Sequence, residues 1–434
     1  MSSVVRKMTD TLRLDLLPDD VLLIIFDYCN AYDLLRLSEV CKRFYEMVHL
    51  DIVWAEKGKR FVVTNQMSKK FRDRCETILE IQEKWPVSYN WQYGIYKKQT
   101  ILTQRTRLMP WLQMTRSILW WCGGHDLLGY VREQGEMIDN MFGDSFYTET
   151  YTGGDICKFV LWKNFIISGY TNGTINYFLV KYSKRKCRLV KRLVNNRSSV
   201  NALDASSENL IAGLESGVVK ILRHPDMDRP EKKVYEKEIC IHPVDKVRSL
   251  AIDPTGVKFA VGSTGIADIP PLHVINIECY TSIDKMQHEW KHGAGILDMV
   301  WEDPNTLLTC GYDTYIRKWD LRTGKCVCSW ADPTDATLYC ISSDHQYSMI
   351  TGTQYNCLAV LWDQRKNDFV QLYYMSSKPS SQRSPVYSLQ FDSTNLYCAT
   401  DRHIVELSFS GPMIERLDYK SMYMDILSCG LFGR

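Results

Sequence analysis

The chain has 434 residues, 45% hydrophobic and 24% charged, with a formal charge of +2. That length exceeds one domain of ~100–200 residues, so at least two units are expected, and the near-neutral balance gives no electrostatic basis for binding nucleic acid or a membrane surface. The longest apolar run, Val21–Phe26, has six residues against the ~20 that cross a bilayer, and fifteen cysteines without framework spacing, behind a polar start, predict free thiols in a reducing intracellular compartment, the cytoplasm or the nucleus.

The first predicted unit is helical and spans residues 12–54. Leu17-Pro18 opens it: Pro18 suits the first helical position, where its missing N–H is no loss, and Asp19 and Asp20 favour the positive end of the helix dipole. Val21-Leu22-Leu23-Ile24-Ile25-Phe26 is apolar all round, more than one face of a surface helix can bury, which predicts a docking element. Asp33 is the expected N-cap of a second helix that carries Leu34, Leu37, Cys41, Phe44 and Val48 at helical spacing. Residues 55–92 read as a helical linker whose basic residues, Lys57 to Arg74, form a solvated face.

From 93 to 410 the chain turns to short β-rich runs broken by turn signals. A run ending in a small residue, a polar turn and a second run recurs seven times, pivoting on Gly123, Gly169, Gly213, Gly262, Gly311, Gly352 and Ala399. The spacings of 46, 44, 49, 49, 41 and 47 residues bracket the ~40–45 expected of a four-stranded propeller blade. Regular spacing over seven units disfavours a two-sheet sandwich. Glycine at each pivot is expected to permit a tight turn. The β-capable stretch 93–105 is placed to pair with the last blade and shut the ring. Residues 411–434 form a tail without a reading.

Together these features resemble the F-box/WD-repeat family. Leu17-Pro18, Val40-Cys41 and Trp54 stand at F-box spacing, and Trp319-Asp320 and Trp362-Asp363 are the repeat's namesake dipeptides. The resemblance is dense after residue 293 and thin between 115 and 290. It implies an all-β seven-bladed WD-repeat β-propeller preceded by a small all-α F-box domain. It further implies a non-catalytic substrate-recognition subunit of a Skp–cullin–F-box ubiquitin ligase, which commits protein targets to proteasomal degradation. The partners are then a Skp-type adaptor, a cullin–RING core and an unidentified target protein. The alternative is an interaction scaffold whose adaptor complex works outside a ligase. Adaptor-facing positions carried over from the family are Leu17, Pro18, Val21, Leu22, Ile25, Phe26, Leu34, Leu37, Val40, Cys41 and Trp54. Some of these must form the small domain's own core. The family also implies that the turns after each blade's second strand share a face with the connections between blades and hold the ligand. Candidate contacts there are Tyr170, Arg197, Lys246, His292, Tyr312, Tyr355 and Arg383. The rival cluster Lys181–Arg192 has seven basic residues in twelve positions, but its tip at Lys184-Arg185-Lys186 falls on the opposite face. Asp313 and Trp319 are candidates for an internal hydrogen-bonded network in the fifth blade.

Two metal-like patterns need an answer. His288-Glu289-Trp290-Lys291-His292 satisfies the H-E-x-x-H zinc motif, which requires both histidines one turn apart on a helix. Here Gly293 and Gly295 follow at once and no helical flank is predicted. Cys326-x-Cys328 has no second pair at ligand spacing and reads as a strand. No metal, cofactor or catalytic residue is expected.

Overall fold

The computed structural model describes residues 13–133, 136–138, 154–181, 186–194, 198–227, 234–266, 269–282, 286, 288–376, 384–412 and 415–428. Helix α1 is Asp19–Tyr28, with Pro18 as its N-cap (ψ 151°) rather than its first helical residue. The expected second helix is three: α2 (Ala31–Ser38), α3 (Lys42–Val48) and α4 (Asp51–Gly58). Extended backbone at Cys41 (φ −157°, ψ 161°) separates the first two of these. Asn30, not Asp33, caps α2, its Oδ1 accepting from the Asp33 amide at 2.9 Å. The four helices close on Leu22, Phe26, Leu34, Phe44, Val48 and Trp54, and the Trp54 indole donates to Val48 O at 2.7 Å.

The linker is helical only at α5 (Lys69–Arg72) and α6 (Ile81–Tyr93). On either side of α5 the chain runs without regular structure, and Val62 and Val63 before it, Phe71 within it and Cys75 after it are buried against the last two blades. Val63 holds a left-handed φ of 66° so that its amide can donate to Ser348 Oγ at 2.7 Å. Arg74 is not on a solvated face. It lies 4.8 Å from the ring centres of both Phe71 and Phe391 and donates to Ser343 O, and burial lowers its pKa to about 10.

Seven antiparallel sheets then form a ring, at 111–138, 156–194, 200–240, 247–276, 296–331, 338–374 and 388–408. Each has four strands except the fourth, which has three among the described residues, and the seventh, which is completed from elsewhere. Strand β1 (Ile95–Thr103) lies antiparallel to His403–Ser408, with Lys97 opposite Ser408, so the chain just before the first blade is the outer strand of the last. Glu415–Arg416 pairs with the other edge of β1. Beyond it α7 (Tyr419–Ser428), in the tail that the sequence left unread, packs Tyr419 on Tyr374 and Tyr423 on Phe369 of the sixth blade.

The pivots close each blade's second strand, but turn geometry is not what requires glycine there. None of the pivot glycines has a positive φ, whereas the true turns use Gly173 (φ 81°) and Gly217 (φ 76°). A Cβ on Gly169 would lie 2.5 Å from Val200 Cγ1, and one on Gly213 would lie 2.4 Å from Val247 Cγ1. Both valines begin the next blade, so glycine lets neighbouring blades approach closely. In the fifth blade Cys310 takes this place opposite Asp298, and Gly311 is one residue later. Trp319 and Trp362 are buried and donate to Thr309 Oγ1 (2.9 Å) and Thr351 Oγ1 (3.0 Å). Asp313 stays outside that network, paired with Arg317 at 2.7 Å.

Candidate functional site

On the helical domain the packing sorts the apolar residues. Leu22, Phe26, Leu34 and Trp54 are 0% exposed and hold the domain together, so they cannot touch a partner, contrary to the sequence expectation. Leu17, Ile25, Leu37 and Cys41 are half-buried, while Pro18, Val21 and Val40 reach the surface. Ile24 (62% exposed) and Tyr28 (88%), which the carry-over missed, share a face of α1 with Val21 at i, i+3 and i+7. Arg43 holds the entry to that face, donating to Leu17 O at 2.6 Å and pairing with Asp19 at 2.5 Å.

On the propeller the best-formed concavity, about 650 Å³, is the mouth of the central channel on the side of the blade connections. In blades two to six the first strand carries a one-residue bulge near its start. The register shifts fall at Cys157, Asn201, Arg248, Leu297 and Tyr339, and Tyr387 holds the same place in the last blade. All six line the cavity, because a bulge leaves one residue outside the ladder and turns its side chain inward. Spacing alone could not reveal this ring, since a bulge is a property of pairing.

The lining is uneven in chemistry. Tyr312, Tyr339 and Tyr387 form an aromatic wall, with the last two edge-on at 5.3 Å. Arg105, Arg107, Lys158 and Arg248 also line it, none of them in a salt bridge among the described residues, while the buried Asp298 and Asp204 act on Lys158 through space. The two acids present are engaged, Glu215 with Lys246 at 2.5 Å and Asp401 with Arg402 at 3.7 Å. Lys158 Nζ rests 3.3 Å from the Trp111 ring centre, and burial pushes its pKa down. Arg248 Nε and Trp111 Nε1 are buried donors without a partner among the described residues.

Of the expected contacts only Tyr312 lines this mouth. Tyr170 is buried in its blade (2% exposed), Lys246 is held by Glu215, and Tyr355 and His292 are exposed outside the cavity. Arg197 and Arg383 lie outside the described residues, as do 182–185 at the tip of the basic cluster. The pentad 288–292 has extended and turn backbone, so its histidines are not one helical turn apart, and His288 packs edge-on to Trp290 and Trp319 instead. Cys326 and Cys328 lie on one strand, Lys325–Ala331, as free thiols.

Residues 14–59 match the F-box-like family. Over 408 residues, 91% of this chain, the sequence is 29% identical to F-box/WD repeat-containing protein 4 of Mus musculus, covering 93% of that protein. The Homo sapiens protein of the same name matches with the same identity and coverage. The chain thus joins an F-box-like helical region to a seven-bladed propeller and is similar along its length to F-box/WD repeat-containing proteins. Its ring also superposes on a chain of a crystal structure of the mitotic checkpoint complex with a TM-score of 0.53. That match covers 73% of this chain and 95% of the other at 14% identity, and bears on the fold alone.

The linker that carries the helical domain and the propeller cavity lie on opposite rims of the ring. Antiparallel strands place the first-to-second and third-to-fourth turns on one rim and the remaining connections on the other. The linker grips the first rim: Arg365 donates to Phe61 O at 3.2 Å, and the Glu76 amide donates to Asp392 at 3.2 Å. The cavity opens on the second.

Proposed function

We propose that the chain is the substrate-recognition subunit of a Skp–cullin–F-box ubiquitin ligase, working inside the cell in the cytoplasm or nucleus. The F-box-like helices present Val21, Ile24 and Tyr28 to a Skp-type adaptor, which links the chain to a cullin–RING core, while the propeller mouth holds the target protein. The observation that carries this reading is an exposed apolar face on an F-box-like helical domain whose linker is seated on one rim of a propeller, with a donor-rich cavity opening on the other. Such a subunit needs no bond chemistry of its own. It raises the effective concentration of target lysines at the conjugating enzyme.

The test is co-purification of the full chain with adaptor and cullin from cells. Recovery of both supports the reading. Adaptor without cullin would point to a scaffold outside a ligase, and neither would overturn the docking assignment.

A further inference from the structure

The propeller mouth has donors in excess and acceptors already spent. Lys158, Arg248 and the Trp111 indole N–H supply hydrogens at the cavity, and the two lining acids are paired with Lys246 and Arg402. A buried donor without a partner costs about 1–3 kcal/mol, so this arrangement favours a ligand that brings acceptors. Two cations line the cavity itself, the Lys158 ammonium against the Trp111 indole face and the Arg248 guanidinium, whereas Arg105 and Arg107 sit at the exposed rim. A carboxylate brings two acceptor oxygens, one for each of these cations.

The shape adds a second constraint. The opposite end of the channel is covered by α5 and the residues after it. Phe71 and Cys75 are fully buried there, and Arg74 donates to Ser343 O. The charges of Lys70 and Arg74 act on Glu302 at that end. A segment threading the ring would have to displace this packing. A chain end need not, and a cavity of about 650 Å³ is within the ~300–1,000 Å³ of sites that take a small ligand or a few residues.

We infer that the mouth captures the free carboxyl terminus of a protein partner, its carboxylate met by Lys158, Arg248 and the Trp111 N–H and its last side chains laid against Tyr312, Tyr339 and Tyr387. This deepens the receptor reading and rests on it. Acidic residues a little upstream would meet Arg105 and Arg107 at the rim, and ionic strength would weaken that part first.

The experiment uses the full chain co-expressed with its adaptor and immobilised. The probes are three pools of synthetic decapeptides, each randomised at its last four positions: one with free carboxyl termini, one amidated, and one amidated with an internal phosphoserine. Mass spectrometry reads the retained peptides. The free-carboxylate pool should be retained at least ~10-fold over the amidated pool, as for one lost charge-assisted hydrogen bond. Lys158→Met and Arg248→Gln should each abolish that discrimination while adaptor co-purification and melting temperature stay unchanged. Equal retention of free and amidated pools, retention of neither, or preference for the phosphorylated pool would overturn the inference. The comparison of free with amidated peptide is made on the unaltered protein, so a folding defect in a variant cannot decide it. Failure here with adaptor and cullin still bound leaves the ligase reading standing; loss of the adaptor removes the reading itself.

Discussion

Leu22 and Ile24 are two residues apart on α1 and face opposite ways, 0% and 62% exposed. Because the run from Val21 to Phe26 is apolar throughout, its periodicity carried no face; only the packing of α2, α3 and α4 against Leu22 and Phe26 supplies one. Val21→Ala with Ile24→Ala should therefore weaken adaptor binding by ~2 kcal/mol, roughly 30-fold, at an unchanged melting temperature. Leu22→Ala should instead cost ~2–5 kcal/mol of stability. Adaptor titration and thermal melts on the same preparations separate the two, and wild-type affinity in the double variant would remove this face from the interface. Two histidines outside both surfaces set a pH response. His224 stacks on Trp162 at 3.8 Å and its Nε2 lies 3.1 Å from Ser206 O, and burial lowers its pKa to about 4. Burial holds His345, 3.1 Å from Trp301 O through Nδ1, at about 3. Unfolded, both bind a proton near pH 6.5; folded, neither does until much lower pH. The stability these two rings contribute is thus complete above about pH 6.5 and falls on acidification toward pH 4, by up to ~1.4 kcal/mol per pH unit for each histidine, while carboxyls raised by burial, such as Asp298 and Asp344, act in the opposite sense. Urea midpoints at pH 7 and pH 5 should show the fall, and His345→Gln should flatten it; an unaltered slope would mean the ring is protonated in the native state.

Blades pack through their second strands, and the pivot glycines set the distance. Gly213→Ala would bring a methyl to 2.4 Å from Val247 Cγ1 and should cost ~1–3 kcal/mol. Val247→Ala in the same chain should recover part of that loss, a non-additivity expected only where the two side chains share one space. Strict additivity of the two losses in denaturant melts would place the glycine's role in the backbone instead. The seven-fold spacing was legible because a strand, a turn and a strand leave a regular mark in composition. The reason for the glycines was not, since close approach between blades involves residues 34 apart, Gly213 and Val247, that no local pattern joins. The same applies to the bulge ring: Arg248 and Tyr339 look like ordinary strand positions until the register shift between Val247 and Ser249, or between Leu338 and Cys340, is seen. The linker misled for another reason. Basic residues flank Phe61, Val62, Val63 and Phe71, so the segment reads as amphipathic helix, while tertiary contacts with the last two blades hold 61–68 in an irregular path with Val63 and Gln66 left-handed.

At the scale of the molecule, the segments on both sides of the propeller meet at one seam. Strand β1 hydrogen-bonds His403–Ser408, Trp91 of α6 stacks on Phe409 at 3.5 Å, and the Leu417 amide donates to Gly94 O at 2.7 Å. The part of this seam formed by 93–105 was readable as a spare β-stretch beside a blade that lacked one. The tail was not, because α7 has its meaning only against Tyr374 and Phe369 of the sixth blade. The two contributions should differ in kind. Removing 411–434 strips a short strand and a helix from the outside of a ring that is already closed, so the protein should keep one unfolding transition at a lower melting temperature. Deleting 93–105 opens the ring and leaves Ile404–Leu407 as an unpaired edge of buried character. It also removes part of the chain that seats the first blade, including the Gln104 amide that donates to Arg402 O at 2.9 Å. Hydrogen exchange should then show lost protection in 388–408 and in 111–131 together, with the middle blades affected less. Loss confined to the seventh blade would mean that β1 completes a sheet without closing the ring, and that the first blade is held by its neighbour alone.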